Sequence, residues 1–168
     1  MGRKGVVLVT LAFGLVAFET PASAQSGAYH VETTALLVNS SHRDFAAARS
    51  AALKLQEKLI ARFVDFVNRP SPSVGASEAW RSSGGELYFL DANGKNVGYS
   101  PRWEKSEQVH VSIEDSSQLP GLVPGFFVVV IASGEPRAIW RLARRANAAG
   151  IRAHVRYARQ VYTVGCRH

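Results

Sequence analysis

Cysteine is nearly absent from this sequence, because Cys166 is the only one among 168 residues. A single cysteine cannot form a disulfide within its own chain, so the fold must be stabilised by a hydrophobic core, for which the length is sufficient. Cys166 lies two residues before the last residue printed. We interpret it as a free thiol near a terminus rather than as a link to a second chain.

The sequence also lacks the short motifs of common catalytic sites. It has no glycine-rich phosphate loop after a strand, no G-x-S-x-G, no H-E-x-x-H and no paired-cysteine zinc spacing. Glu114 and Asp115 are adjacent, so in a strand they would point to opposite faces and could not form a catalytic pair. We therefore predict no catalytic residue, no metal site and no cofactor. A small periplasmic enzyme is only our third hypothesis.

Acidic residues are missing after Glu135, and this end of the chain is strongly basic. The formal charge of the whole chain is +7, whereas the stretch from Gln25 to Pro136 carries −2. The last 32 residues contain eight arginines: Arg137, Arg141, Arg144, Arg145, Arg152, Arg156, Arg159 and Arg167. This local excess indicates an anionic partner more specifically than the overall charge does.

A long apolar run occurs only near the N terminus. Two basic residues precede Val6–Phe18, which is too short to span a bilayer, and Pro21–Ala24 supplies the small residues of a signal-peptidase site. We predict a signal peptide at 1–24, cleaved after Ala24. The mature chain, 25–168, is then one α/β domain without a transmembrane segment, located in the periplasm or secreted.

The first half of that domain predicts a strand, a long helix and a hairpin. Tyr29–Asn39 is rich in β-branched and apolar residues, as strands are. Ser40 and Ser41 could cap a helix reaching from about Asp44 to Asn68, in which apolar residues recur every three or four positions. The members of this stripe are Phe45, Ala48, Ala52, Leu55, Leu59, Phe63 and Phe66, widened by Leu53, Ile60, Val64 and Val67.

A loop at 70–85, rich in serine, glycine and proline, should follow that helix. Glu86–Tyr99 then reads as a hairpin, because Asn93 and Gly94 suit a tight turn. Gln108–Ile113 predicts a further short strand.

The second half predicts strand, helix and strand again. Phe126–Ile131 is apolar at consecutive positions, which is typical of a central strand covered on both faces. Ser133 could cap the next helix, and Gly150 is placed to end it. Residues 151–157 alternate between apolar and basic, as a half-buried strand does, and 161–164 would close the domain.

This order of elements favours an α+β fold. Two β-α-β halves make a ferredoxin-like sandwich, here with an inserted hairpin. A thioredoxin-like α/β arrangement is the alternative, because residues 86–100 also resemble the late hairpin of that fold.

The predicted C-terminal helix separates an apolar stripe from a basic face. At about 100° per residue, its four arginines, Arg137, Arg141, Arg144 and Arg145, lie opposite Ile139, Leu142 and Ala146, with Trp140 at the border. Like charges four residues apart repel one another, and after Glu135 the sequence offers these four arginines no acidic residue to pair with. A partner would explain this pattern.

A second basic group follows on the predicted strand. Arg152, His154 and Arg156 share one face by the period of two. Guanidinium groups suit carboxylate, phosphate and sulfate, and aromatic rings such as Trp140 and Tyr162 could stack on sugars. The candidate ligand-binding residues are Arg137, Trp140, Arg141, Arg144, Arg145, Arg152, His154, Arg156 and Tyr162. The expected partner is an anionic or glycan polymer of the cell envelope, or an acidic protein; nucleic acid would not suit the compartment.

Residues 126–165 resemble half of a SPOR (sporulation-related repeat) domain. The similarity lies in the apolar strand FFVVVIAS, the helix WRLARRANAAG, and the strand segments IRAHVRY and VYTVG. It covers about a quarter of the chain. Members of that family bind peptidoglycan glycan strands on their sheet, which implies a glycan site at Arg152, His154, Arg156 and Tyr162.

Two main hypotheses for function result. The first is an exported, non-catalytic binding module whose basic C-terminal face docks on peptidoglycan or on an acidic envelope partner. The second is an accessory or structural subunit of an envelope-spanning secretion or conjugation machine, with the helix at 44–68 as its interface.

The first prediction concerns the signal peptide. Expressed from its own start codon in a host with a Sec pathway, the protein should begin at Gln25 and be recovered from the periplasm without detergent. N-terminal mass analysis measures this directly. Retention of Met1 in a membrane fraction would contradict it.

Overall fold

The computed structural model describes residues 29–69, 71–99, 101–102 and 108–163, with the backbone alone at 29–30 and 160–163. The helices are α1 (Phe45–Arg62), α2 (Pro72–Gly75) and α3 (Pro136–Ala148). The strands are β1 (Tyr29–His42), β2 (Glu78–Arg81), β3 (Leu87–Leu90), β4 (Asn96–Val97), β5 (Ser112–Asp115), β6 (Phe127–Gly134) and β7 (His154–Thr163). A 3-10 turn at Ser116–Gln118 follows β5. The described chain is therefore of the α+β class.

A four-stranded sheet in the order β5-β6-β1-β7 forms the centre of the structure, and every neighbouring pair is antiparallel. Both long helices, α1 and α3, pack against β1 and β6. Their buried side chains, among them Leu55, Leu59 and Ile139, join Leu37 and Ile131 of the sheet in one hydrophobic core. We call this side of the sheet the helix face.

The opposite side of the sheet is covered by the segment 116–126, which we call the crossing loop. Leu119 from this loop is fully buried against Leu36, Val130 and Ala158 of the sheet. Beyond Leu119, the backbone oxygen of Pro120 accepts a hydrogen bond from the amide of Arg159 at 2.6 Å. The loop therefore passes over β1 to the edge strand β7 before the chain returns to β6. We call this side the loop face.

Gly121 permits the contact of the crossing loop with β7. Its φ is +105°, in the left-handed region that favours glycine, and a Cβ there would lie 3.0 Å from the Tyr157 backbone oxygen. A larger residue would therefore push the loop away from the strand.

A second sheet, in the order β2-β3-β4, confirms the predicted hairpin and extends it. The turn between β3 and β4 is held by Asp91, whose carboxylate accepts from the amides of Asn93 and Lys95, and Gly94 has φ +73°. Phe89 from β3 is buried, and its ring centre lies 5.4 Å from that of Phe45 of α1, with the two rings tilted by 42°. The second sheet thus completes the core on the helix face.

Several predicted boundaries are wrong. The segment 70–85 is not wholly a loop, since it contains α2 and β2. Helix α1 ends at Arg62 rather than near Asn68, because Phe63 takes an extended conformation. Val64, which the apolar spacing placed on the buried stripe, is 97% exposed. Leu53 and Ile60 are exposed as well, so the buried stripe of α1 is narrower than the sequence indicated.

Both predicted helix caps also differ. Strand β1 continues through Ser40 and Ser41, and Asp44 is the N-cap of α1, its carboxylate accepting from the amide of Ala47 at 2.9 Å. Ser133 belongs to β6, and Glu135 is the N-cap of α3, with Pro136 in the first turn. At the other end, Gly150 follows α3 with φ +75°, as predicted.

No helix in the described part of the chain is long and apolar enough to cross a membrane. The predicted signal peptide and Cys166 lie outside the described residues.

The second prediction tests the cap of α1. Asp44→Ala removes the side-chain acceptor for the amide of Ala47, so the free energy of unfolding should fall by about 1 kcal/mol. Ser41→Ala, at the residue that the sequence suggested as a cap, should change it by less than half as much. Urea denaturation measures both variants, and equal effects would contradict the assignment.

Candidate functional site

The packing of the buried side of α3 against the sheet determines where its basic side faces. Ile139, Ala143 and Ala146 are buried against the sheet, and their spacing of three and four residues turns the arginines outward. At 100° per residue, the order around the exposed surface is Trp140, Arg144, Arg137, Arg141 and Arg145. Trp140 therefore lies on one flank of the basic surface and Arg145 on the other.

On the first flank, Trp140 joins α3 to β7. Its indole N–H donates to the hydroxyl of Tyr157 at 2.9 Å, while 51% of Trp140 and 43% of Tyr157 remain exposed. Tyr157 pairs with Ala35 of β1, which belongs to the core of the helix face. Two hydrogen-bonded aromatic side chains thus stand on the surface beside Arg144 and Arg137.

On the other flank, Arg145 has an acidic partner that the sequence analysis did not foresee. Its guanidinium forms an ion pair with Asp65, which follows α1, and lies 5.3 Å from the ring centre of Phe63. Arg145 therefore connects α3 to the end of α1. The expectation that all four helix arginines lack a partner is wrong for this one.

The remaining helix arginines are different. Arg137, Arg141 and Arg144 have no acidic side chain within ion-pair distance among the residues that the structure describes. Arg137 and Arg141 are four residues apart, and so are Arg141 and Arg145, so they repel one another as the sequence indicated. A cluster of this kind attracts anions.

Two candidate residues on β7, His154 and Arg156, lie on the other side of the sheet. His154 pairs with Val38 and Arg156 with Leu36, and both partners belong to the apolar cluster of the loop face. Arg152 precedes β7, and its backbone oxygen accepts from the side-chain amide of Asn39 at 2.7 Å. Tyr162 lies on β7 opposite His30. The predicted site is thus divided between two surfaces rather than joined in one basic face.

A buried polar cluster at the edge strand β5 was missed by the sequence analysis. Arg81 from β2 makes two hydrogen bonds to the fully buried carboxylate of Asp115, at 2.6 and 2.9 Å. The hydroxyl of Tyr99 donates to Glu114 at 3.3 Å and accepts from the amide of Asp115 at 2.9 Å. These contacts fasten the second sheet to the first.

The carboxylates of Glu114 and Asp115 have different hydrogen-bond partners. Burial would raise the pKa of Asp115, but the hydrogen bonds from Arg81 and from the amide of Ser117 outweigh it and lower that pKa. Burial raises the pKa of Glu114, in spite of hydrogen bonds from Ser112 and the amide of Arg102. The two neighbours therefore differ in role, as their opposite orientations in the strand predicted.

A histidine completes this cluster. The guanidinium of Arg102 donates to the backbone oxygen of His110 at 2.8 Å and lies 3.1 Å from its Nδ1. Burial, followed by the charge of Arg102, lowers the pKa of His110 to about 4. His110 is therefore neutral at physiological pH, with Nδ1 as an acceptor.

Among the described residues, no three His, Cys, Asp or Glu side chains are grouped so that they could hold a metal ion. The cluster around Glu114, Asp115 and His110 is held by an ion pair and hydrogen bonds, and its contacts connect separate elements of the fold. In contrast, Trp140, Tyr157 and the arginines of α3 are exposed on the helix side of the sheet.

No protein-family model, no curated protein and no solved structure matches this chain.

The third prediction concerns His110. Its pKa in the folded state, about 4, is below the ordinary value of 6.5, so the unfolded chain takes up a proton first as the pH falls. The stability due to this group is complete above pH 6.5 and is lost as the pH falls towards 4. In His110→Asn, which keeps an acceptor, the free energy of unfolding should vary less between pH 7 and pH 4.5. Denaturant titrations at several pH values test this. If the free energy of unfolding of His110→Asn depends on pH as steeply as that of wild type, the prediction is wrong.

Proposed function

We propose that this protein is an exported, non-catalytic binding module that docks on peptidoglycan or another anionic glycan polymer of the cell envelope through the exposed surface of α3. The observation that supports the proposal best is the Trp140–Tyr157 pair, which stands beside arginines that have no acidic partner among the described residues. The proposed binding residues of this surface are Arg137, Trp140, Arg141, Arg144 and Tyr157. Arg145 has a structural partner and contributes mainly to the position of α3.

The chemistry of this surface suits a polymer that carries both flat sugar rings and negative charges. Exposed aromatic rings offer stacking surfaces, and the hydrogen bond between Trp140 and Tyr157 restricts their movement before a ligand binds. Guanidinium groups bind carboxylates with two parallel hydrogen bonds. Peptidoglycan carries both sugar rings and carboxylates, which favours it over an acidic protein face as the partner.

We further propose a ferredoxin-like classification for the domain. With the second sheet set aside, the order along the chain is β1, α1, β5, β6, α3 and β7, which is two β-α-β halves. The strand order β5-β6-β1-β7, the antiparallel pairing and the position of both helices on one face support this classification. The resemblance to a SPOR domain also stays a proposal. The glycan site that it implies would lie on the loop face of the sheet, and the crossing loop occupies that face.

A second candidate function has an observation of its own. Leu53 and Ile60, exposed by 37% and 57%, are seven residues apart and form an apolar stripe on one side of α1, and Val64, two residues past the end of the helix, is 97% exposed. Such a stripe suits contact with another protein, as in an accessory subunit of an envelope-spanning machine. It lies on a different part of the surface from the Trp140–Tyr157 pair, so the two functions can be tested separately.

The fourth prediction tests the α3 surface. Arg137→Ala combined with Arg144→Ala should weaken co-sedimentation with purified peptidoglycan at least tenfold. The melting temperature should stay the same or rise slightly, because these side chains are exposed and repel their neighbours. Wild-type binding should weaken as salt is raised, since exposed charges are screened over about 8 Å at physiological ionic strength.

A matched control removes the same charge elsewhere. Lys54→Ala with Lys58→Ala, two exposed positions on α1, should leave sedimentation unchanged. Trp140→Phe keeps a ring but loses the hydrogen bond to Tyr157, and should lie between wild type and Trp140→Ala. If the arginine double variant and the lysine double variant lose co-sedimentation equally, the effect is one of general charge and contradicts the proposal. Capture of an envelope protein that depends on Leu53 and Ile60 instead would favour the accessory subunit.

A further inference from the structure

A cavity of about 270 Å³ lies on the loop face, between the sheet and the crossing loop. Val38 and Val128 line it from the sheet, Leu122, Val123 and Phe126 line it from the crossing loop, and Arg156 lines it from β7. The cavity exists because the loop is anchored at both ends. Leu119 and the Pro120–Arg159 hydrogen bond hold one end, and β6 begins at the other.

The lining is mainly apolar but not filled by protein. Val123 is 74% exposed, and Leu122 and Phe126 are half-buried. The hydroxyl of Ser116, a further lining group, already accepts a hydrogen bond from the amide of Phe126 at 2.9 Å. Apolar surface of this kind gains free energy when a ligand removes it from water. The cavity therefore suits an alkyl chain rather than a polar molecule.

Positive charge lies at one edge of the cavity. The side chain of Arg156 has no acidic group within ion-pair distance in the described part of the chain. The guanidinium carbon of Arg43 lies 5.6 Å from the ring centre of Phe126, which is a lining residue. Burial lowers the pKa of neighbouring His154, and the charges of Arg156 and Arg152 lower it further. None of the described residues that line the cavity is acidic, and Arg156 among them offers a bound anion a positive charge.

We propose that this cavity binds a free, medium-chain alkyl carboxylate, with the chain between Val38 and Phe126 and the carboxylate on the guanidinium of Arg156. An apolar lining with one cation at its edge matches a single chain that ends in one negative charge. The volume is at the small end of ligand sites, which favours one chain over a two-chain lipid. The site lies on the side of the sheet opposite α3 and is independent of the proposed polymer binding.

Calorimetry with the purified full chain tests the ligand class. Sodium hexanoate, heptanoate and octanoate are the probes, and the affinity should rise about fourfold for each added methylene until the cavity is full. Octanol, which lacks the charge, should bind more weakly than octanoate, and octylamine should not bind. Octylamine binding as tightly as octanoate would overturn the proposal. Tighter binding of a short peptide with a C-terminal leucine than of any alkyl carboxylate would also overturn the proposal.

Variants locate the site. Arg156→Gln should reduce the affinity for octanoate to that for octanol and leave octanol binding unchanged. Arg159→Gln, an exposed arginine three positions along β7, is the matched control and should have no effect. Val123→Trp should block both ligands, and because Val123 is exposed the melting temperature should stay near that of wild type. Unchanged octanoate binding in both Arg156→Gln and Val123→Trp would place the ligand elsewhere and overturn the proposal.

Discussion

The pairing of β1 along both of its edges is the constraint on which the rest of this structure depends. Residues 35–42 pair with β6 on one edge, and residues 29–38 pair with β7 on the other. Ala35, Leu36, Leu37 and Val38 carry both pairings or lie beside them, and they are almost completely buried. Because successive side chains in a strand point to opposite faces, these four residues supply both apolar layers of the domain. A shift of one residue in this register would exchange the two faces.

That register also determines where the basic residues of the C-terminal end can act. Tyr157 lies opposite Ala35 and meets Trp140 on the helix face, whereas Arg156 lies opposite Leu36 and reaches the cavity on the loop face. Adjacent residues of β7 thus serve two surfaces that a sheet separates. The excess of arginine in this part of the sequence is one compositional feature, but in the structure it is divided between two chemically distinct surfaces. One combines charge with exposed aromatic rings, and the other combines charge with an apolar cavity.

Features that depend on local spacing could be predicted from the sequence, and features that depend on distant pairing could not. The buried positions of α3, the turn at Gly94 and the border position of Trp140 follow from periodicity and turn chemistry. The end of α1 did not, because Val64 and Phe66 continue the helical spacing although Phe63 is extended. The ion pair of Arg145 with Asp65 joins residues eighty positions apart, and Arg81 joins Asp115 across thirty-four. No short window of sequence contains both partners, so the sequence could not distinguish Arg145 from the helix arginines that have no acidic partner in the described part of the chain.

The arginines of α3 carry an electrostatic cost that the described fold relieves only in part. Like charges at i and i+4 on a helix destabilise it by a few tenths of a kcal/mol per pair. Asp65 offsets this at Arg145, but the pair is more than half exposed, so its contribution is small. Arg137 and Arg144 flank an aromatic pair that is already ordered by its own hydrogen bond. An anion bound there would remove the remaining repulsion and would need to order few side chains. The same charges that weaken the isolated helix would then strengthen the complex, and anion binding should raise the stability of the fold with the logarithm of the anion concentration once that concentration exceeds the Kd.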